Sequence, residues 1–485
     1  MAKLSGLQIL SQTEMEKIHE QSLGILEKLG VSIPHREGLK ALEEAGATID
    51  YQNHRAYIKQ DLVEQSLKSA PKSFVLAGFD PQNDIVLPHP ENGFYSRTGT
   101  GSQGCIDLET DTFRYVQTKD VEHWVRLIDK LEHIDICAVP TPMDTPQETR
   151  DIHAFKCALE YTKKHIMIQP YSSESLNYLC EMAVLVAGGK EELKKRPAIS
   201  MVACCTSPLS YKAFDVDVIF AAGEYGLPVH VASLNCPGGS GPVTIAGSVL
   251  QSNAEFLAGL VLTQVISPGL PVIGVTQQLP LNMVNGIALQ TSVEATLGNA
   301  AGVQLTKEFY GIPSRTYSFG SDALFGDSQS MLERTFLGLV VMLAKTDILS
   351  AVGSLEGVNT ISLRQLVVDN DLLGMFKRLN HGVDLSEDQL AVQCIFDVVS
   401  GKGSFMAHRH TFEHCREIFQ PSVFDRNGRI RGKIESKSEI MDRAKVKVNS
   451  ILGEETQTYL PENTVRLLEE IVEKADCELA KRVDG

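Results

Sequence analysis

Several short apolar runs in this 485-residue chain end in side chains able to do chemistry. Gln169, Pro170 and Tyr171 close one run, Thr206, Ser207 and Pro208 another, Asn235, Cys236 and Pro237 a third, and Gln277 and Gln278 a fourth. Two more lead into Phe319, Ser321, Asp322, Phe325 and Asp327, and into Glu356. The set is aromatic, amide-bearing and acidic, without the basic residues beside glycine-rich amides that a phosphate would need. Aromatic faces with nearby carboxylates suit a cation that has no N–H to donate, such as a quaternary ammonium, which ring quadrupoles and net charge can hold. On this reading Tyr95, Tyr171, Tyr317, Phe319 and Phe325 form the walls, Asp322 and Glu356 are the candidate catalytic carboxylates, and Gln278 is a further substrate contact. Tyr317 and Phe319, two apart in a strand, are expected to share a side.

Other reactive residues carry less. His410 and His414 are spaced as metal ligands on one helical face, but arginines flank them and no third histidine lies at a strand end. They read as a hydrogen-bonded structural cluster, with no metal site. Cys236 has no histidine near it in sequence to activate a thiolate, and Cys204-Cys205 reads as packing inside a strand.

The strand ends need a repeating scaffold. Apolar runs begin at Ile134, Ile166, Ala198, Pro228, Pro271, Ser314 and Ile348, and helical patterns such as 121–131, 151–162 and 252–265 separate them. Strands alternating with helices at spacings of roughly thirty to forty residues are parallel βαβ units. With a further strand at 94–98 they make eight, the number that closes an α/β barrel of the (β/α)8 type, whose catalytic groups come from the C-terminal strand ends. No strand is followed by the GxGxxG turn of a doubly wound sheet. The division expected is an N-terminal cap of helices and strands over 1–92, a barrel over 93–360, and a helical extension over 361–485 with helices at 362–379, 386–399, 411–419, 436–452 and 462–480. The basic segment Asp425–Lys433 is either a solvated turn or a docking patch for an acidic partner.

Composition agrees with a globular enzyme, at 43% hydrophobic and 22% charged residues. A formal charge of -16 excludes nucleic acid and anionic membranes as partners, because both select for a basic face. The opening residues lack a secretory signal, and no run is expected to span a membrane, so the chain is expected in the cytoplasm. Ten cysteines are too dilute for a disulfide framework.

At Ser321-Asp-Ala-Leu-Phe-Gly-Asp-Ser-Gln, at Leu366-Val-Val-Asp-Asn-Asp-Leu-Leu-Gly and at Met406-Ala-His-Arg-His-Thr-Phe-Glu-His-Cys-Arg, the chain resembles the trimethylamine methyltransferase superfamily. The opening from Leu10 to Leu23, Gly30-Val31 and the turn at Asn235-Cys-Pro-Gly-Gly-Ser are similar too, so the likeness covers almost the whole chain. It implies a (β/α)8 barrel that moves a methyl group from a methylated amine to Co(I) of a separate corrinoid protein. Founding members carry pyrrolysine, whereas this sequence has only standard residues. The resemblance is therefore to non-pyrrolysine relatives, which are associated with quaternary amines such as glycine betaine, proline betaine and carnitine.

The chemistry fits that departure. A quaternary nitrogen already carries positive charge and leaves as a neutral amine, so the protein needs mainly to position it in a dry cavity. For a substrate bearing a carboxylate, Arg97 or Arg315 is the expected partner through a bidentate grip, with Arg97 favoured beside its glycine-rich turn. Cobalamin is expected on the partner protein, not tightly bound here, because the chain lacks a DxHxxG-like sequence; a homo-oligomer is expected as well. Two other readings remain: a barrel lyase or aldolase, which would need a lysine absent from the strand-end set, and a non-catalytic betaine-binding subunit.

Overall fold

The computed structural model describes residues 6–426, 439–455 and 458–480. Eight parallel strands follow one another round a ring: β1 (Tyr95–Thr98), β2 (Ile136–Cys137), β3 (His165–Ile168), β4 (Ile199–Thr206), β5 (Val229–Asn235), β6 (Val272–Gln278), β7 (Arg315–Thr316) and β8 (Ile348–Val352). β6 meets β7 through the bridge between Gly274 and Ser314, and β8 returns to β1 with Ile348 opposite Tyr95, which closes the sheet. The strands are buried on both faces, which explains why β4, β5 and β6 are nearly continuous runs of apolar and small residues.

A helix follows every strand: α1 (Thr118–Lys130), α2 (Arg150–Tyr161), α3 (Ser173–Ala187), α4 (Ala213–Tyr225), α5 (Ile245–Ile266), α6 (Val293–Val303), α7 (Ser328–Leu343) and α8 (Leu363–His381). The eight-stranded α/β barrel expected from the sequence is thus the fold. Because α8 completes the ring, we propose that it goes with the barrel rather than with the extension drawn from 361. One run stays apolar longer than the sequence reading allowed: by length and composition alone α5 could cross a membrane. Its apolar window is 72% buried, packed on β5 and β6 from one side and on the helices Gln12–Lys28 and Gln60–Ser69 from the other, so packing accounts for its composition.

The N-terminal segment does more than cap the outside. Its first helix is fixed by a capping box between Ser11 and Glu14. On its buried face Ser22 donates to the Ile18 carbonyl and accepts from Asn253 Nδ2, both at 2.8 Å, so the one polar member of that stripe is satisfied. The hairpin Phe74–Leu76 with Ile85–Leu87 then sends Leu76, Ile85 and Leu87 into the barrel interior beside Ile136, Met167 and Ile348. It forms the barrel floor.

A buried lysine ties α1 to the barrel wall. Lys164 Nζ donates to the carbonyls of Ile128, Leu131 and Ile134 at 2.7, 2.7 and 2.6 Å, capping the end of α1 and the turn into β2. Burial pushes its pKa down, yet three carbonyls hold the ammonium. Lys164→Met is expected to cost about 3 kcal/mol, since three acceptors lose charge-assisted partners. Urea unfolding checks this, and a loss below about 1 kcal/mol would mean that water replaces the ammonium.

Beyond α8 the chain forms short helices, Glu387–Leu390, Val392–Val399 and Arg409–His414. The single helix expected over 386–399 is broken at Ala391, whose φ is +51°. The His410 and His414 rings are 4.2 Å apart and tilted, and His414 reaches Glu417 at 2.5 Å and Asp388 at 3.2 Å, the hydrogen-bonded cluster the sequence suggested. The helix Ile440–Leu452 packs on α8 and α1, and Glu462–Leu479 on α3. The basic segment lies outside the described residues from Asn427 onward.

Candidate active site

Alternation along the strands sends every second residue inward. In a barrel filled mainly by Ile136, Met167, Val202, Ala232, Ile273 and Val275, two of these inward positions are arginines. Arg97 on β1 is 0% and Arg315 on β7 is 1% exposed. Their guanidinium carbons stand 5.1 and 4.9 Å from the centre of the Tyr317 ring, so one aromatic side chain receives both cations. Arg97 Nε donates to Ser350 Oγ at 3.2 Å, but among the described residues its two terminal nitrogens, and all three guanidinium nitrogens of Arg315, make no hydrogen bond of normal geometry, with the Tyr317 phenol beside both.

Among the described residues no carboxylate forms an ion pair with either arginine. Burial, and then the charge of Arg315, push the Arg97 guanidinium well down from its ordinary value. Burial alone would raise the Tyr317 phenol, yet the charges of Arg315 and Arg97 bring it below its usual range. Taking one unpaired cation out of water costs several kcal/mol, and here there are two side by side. On the mouth side Cys204 of β4, Leu234 of β5 and Val358 beyond β8 are half-buried and pack on the same apolar cluster as Tyr317.

Beside the arginines runs a chain of polar groups across three strands. His165 Nδ1 meets the Ala77 carbonyl of the floor hairpin at 2.9 Å, its Nε2 meets Ser200 Oγ at 2.9 Å, and Ser200 Oγ meets His230 Nε2 at 3.0 Å. Burial brings His165 down to about 4 and His230 well below its usual range, the two arginines adding to the effect on His230. Burial thus disfavours the charged form of both rings.

The structure divides the residues singled out in the sequence. Arg97 and Arg315 come together, and neither is ranked above the other by geometry. Tyr95 is a correction: it opens β1 instead of ending it, so it lies at the barrel floor, stacked on His89 at 4.8 Å. Phe319 is a second. It does not share a side with Tyr317, because a turn from Ser318 N to the Thr316 carbonyl breaks the alternation after the two-residue β7. Phe319 packs outward, edge-on to Phe376 of α8 at 5.6 Å. Gln278 is a third, since its amide is spent on Ser248 and Ser252 of α5, in the layer behind the barrel wall. Tyr171 is exposed at the rim, hydrogen-bonded to Thr141, beside a groove of about 450 Å³ that also includes Gln103, Arg150 and Glu174. That groove is on the rim and not over the arginines. Phe325 is also exposed at the rim.

The two carboxylates sit together at the mouth as braces. Asp322 Oδ1 accepts from Gln290 N at 2.8 Å, and Oδ2 from Thr291 N and Oγ1 at 2.9 and 2.7 Å. Glu356 accepts from Thr360 Oγ1 at 2.7 Å, and its own N–H donates to the Ala323 carbonyl at 3.0 Å, binding the β8 loop to the β7 loop. Asp327 caps α7 through Ser330 N. Both oxygens of Asp322 are used, so it positions the loop after β6. Asp322→Asn, which leaves one of the two accepting oxygens a donor, is expected to speed amide exchange at Gln290 and Thr291 by about tenfold. Unchanged exchange at those two amides would show that the loop holds itself.

The strand-end rule missed His165 and Ser200, passed over His230 as mid-strand, and left Tyr317 as one aromatic wall among five. Their signal was present: each is a polar residue at an inward position of an otherwise apolar strand. Reading it needed the inward face to be known.

The chain is similar to proteins of one kind. The family model described as trimethylamine methyltransferase (MTTB) matches residues 1–480. A trimethylamine methyltransferase MttB of Desulfitobacterium hafniense is 32% identical over 474 residues, covering 98% of this chain and 95% of that protein. A glycine betaine methyltransferase of the same species, strain Y51, is 29% identical over 423 residues, covering 86% and 87%. Among solved structures the hydroxylamine complex of MtmB aligns with a TM-score of 0.52 at 12% identity, covering 92% of this chain and 89% of that one, which shows a shared barrel fold. Matched over nearly its whole length, the chain belongs to the trimethylamine methyltransferase family.

Proposed function

We propose that this methyltransferase takes its methyl group from a quaternary amine that also carries a carboxylate, such as glycine betaine, and passes it to Co(I) of a corrinoid protein. The observation that carries the reading is the pair of buried guanidiniums at Arg97 and Arg315 with no anion of their own. A substrate carboxylate would supply the missing charge and anchor the molecule by its anionic end, leaving the trimethylammonium toward the mouth. The C–N bond then breaks with its electron pair left on nitrogen, while the cobalt electron pair forms the new bond to carbon. Nothing on the protein needs to activate a nitrogen that is already cationic. Positioning and exclusion of water are what these residues contribute.

The acceptor must approach from the open end, because the floor is closed by the hairpin. The loops there suit a macromolecular partner: Val243 after β5, Met283, Val284 and Ile287 after β6, and Leu324 and Phe325 after β7 are exposed apolar residues around the same rim. We assign this rim to a corrinoid protein, which would bring the cobalamin. The reading also has the enzyme working in the cytoplasm as a homo-oligomer. The test mixes purified protein, cob(I)alamin and a panel of methylated amines, and follows methylcobalamin by absorbance. Transfer from trimethylammonium carboxylates but not from trimethylamine is the expected result, and transfer from trimethylamine alone would overturn it.

A further inference from the structure

We infer that residues 383–418, between α8 and Phe419, are the arm by which one copy of this chain packs on a second, at the end of the barrel opposite to the mouth. The inference rests on the homo-oligomer of the reading above and assigns it a surface.

The helix Val392–Val399 shows how the arm is built. Val392, Ile395, Phe396 and Val399 recur at the spacing of a single helical stripe, of the kind that a soluble helix buries against its core. All four are at least half exposed, while Cys394 is buried and Asp397 half-buried on the other side. Asp397 accepts from Gln393 at 3.0 Å and Lys402 at 3.1 Å and reaches His408 at 3.7 Å, and Gln389 Nε2 donates to Glu417 at 3.0 Å. Among the described residues every hydrogen bond of 383–418 closes within the segment. Polar groups are thus spent inside the arm and apolar ones left outside, with Met406 89% and Phe412 83% exposed, the reverse of what water selects.

Size and place decide what covers it. Eleven large apolar residues of the arm are exposed. Together they offer on the order of 1,000 Å², beyond the roughly 300–600 Å² patch of a typical monomer and above the roughly 800 Å² that each partner gives to a stable interface. The neighbouring residues 427–438 cannot supply the cover, since Ile430 and Ile434 are their only large apolar side chains. The corrinoid protein is ruled out by place, because it must meet the mouth and the arm both leaves and rejoins the barrel at the floor. Asn380, near the end of α8, donates to the Asn92 carbonyl at 3.2 Å, just before β1, and Lys377 pairs with Asp135 at 3.1 Å, just before β2. On the return, the Phe419 ring lies 6.0 Å from that of His133, in the same turn into β2. A second copy remains. Arm against arm about a twofold axis lets one self-complementary patch close on itself, and the stripe has no charge to oppose it. Both mouths stay free in such a dimer.

The test is the mass in solution, by analytical ultracentrifugation, of the wild type and of the double variant Phe396→Asp, Val399→Asp. At micromolar concentration the wild type is expected at an even multiple of the chain's mass. In the variant this association should weaken by about a hundredfold or more, while helical signal and methyl transfer from a trimethylammonium carboxylate stay within about twofold. Hydrogen exchange on the wild type alone reads the same contact, for the amides of 392–406 should lose protection on dilution to nanomolar concentration. A wild type of monomer mass would overturn the inference together with the homo-oligomer. An oligomer that withstands both substitutions, or an arm whose exchange ignores dilution while the oligomer dissociates, would overturn the arm alone. Methyl transfer is measured separately, so the quaternary-amine reading stands or falls on its own.

Discussion

Arg315→Met is expected to cut kcat/KM for a trimethylammonium carboxylate by about a hundredfold or more while making the ligand-free protein more stable. The first effect follows from losing charge-assisted bonds to a buried anion, which is worth about 2–5 kcal/mol when one partner is truncated. The second follows from the same burial. In the free enzyme the guanidinium makes no hydrogen bond of normal geometry and shares the Tyr317 ring with a second cation 5.1 Å from its centre. Replacing an uncompensated buried charge with an apolar side chain of similar length is stabilising by about 1–4 kcal/mol. Arg97→Met should move both quantities the same way but lose its bond to Ser350, so its gain in stability is smaller. Thermal unfolding without ligand and transfer assays with a betaine and with choline, which has no carboxylate, separate the effects. Equal loss of activity on both donors would sink the carboxylate assignment, and a lower melting temperature would show that the guanidinium is satisfied in the free protein.

The largest loss of stability is expected at the other buried arginine. Arg334 and Asp369 are both 0% exposed and pair at 2.6 Å, joining α7 to α8. Arg334 also donates to the carbonyls of Phe319 and Ser354 at 3.0 Å each, and Asp369 accepts from Gly353 N at 2.7 Å and Gln365 Nε2 at 2.7 Å. The pair thereby holds the loops leaving β7 and β8, where Asp322 and Glu356 lie. Arg334→Met should cost about 3–5 kcal/mol at neutral pH, because it strands a carboxylate in the interior. Burial raises the Asp369 carboxyl from its ordinary 3.8 to about 6. A carboxyl raised on folding favours the native state most below about pH 4 and loses that contribution as pH rises through 6. Without Arg334 the pKa climbs further, so the deficit should shrink at pH 4.5, where the stranded group is protonated. A deficit equal at pH 4.5 and 7.5 would mean that the lost hydrogen bonds, not the charge, dominate.

The eight-fold alternation was legible because each apolar run is short, doubly buried and followed by a helix, a pattern that few folds share. α8 was less so, because once the strands stop nothing in its sequence distinguishes a barrel helix from an appended one. At the site, strand ends were the wrong focus. Gln278 and Phe319 do stand near strand ends, but the residue at such an end can face the helices as readily as the mouth, and a two-residue strand such as β7 sets no phase for the residues after it. Tyr95 shows a different fault, for an aromatic beside a glycine-rich turn belongs to the mouth only when it comes late in its strand. Arg97 and Arg315 were found by chemistry, as partners for a carboxylate, and not by position. His230 was visible as a mid-strand histidine, but its role depends on which groups lie on neighbouring strands and on a carbonyl from the floor hairpin.

That hairpin sets the order in which the molecule can be assembled. Its strands are three residues each, too short to persist alone, and they leave the ribosome before any barrel strand. The hairpin must wait for β3, whose His165 reaches back across 88 positions to Ala77. Arg97 waits longer, for Ser350 lies 253 residues downstream and arrives with the last strand. Contacts of such sequence separation make folding slow, and they place closure of the ring late. The hydrogen bond from the floor to His165 forms when the hairpin docks, and the paired cations acquire their spacing when the ring closes. Recovery of ligand binding during refolding is therefore a clock for ring closure, and it should lag behind the return of helical signal from α1 to α5.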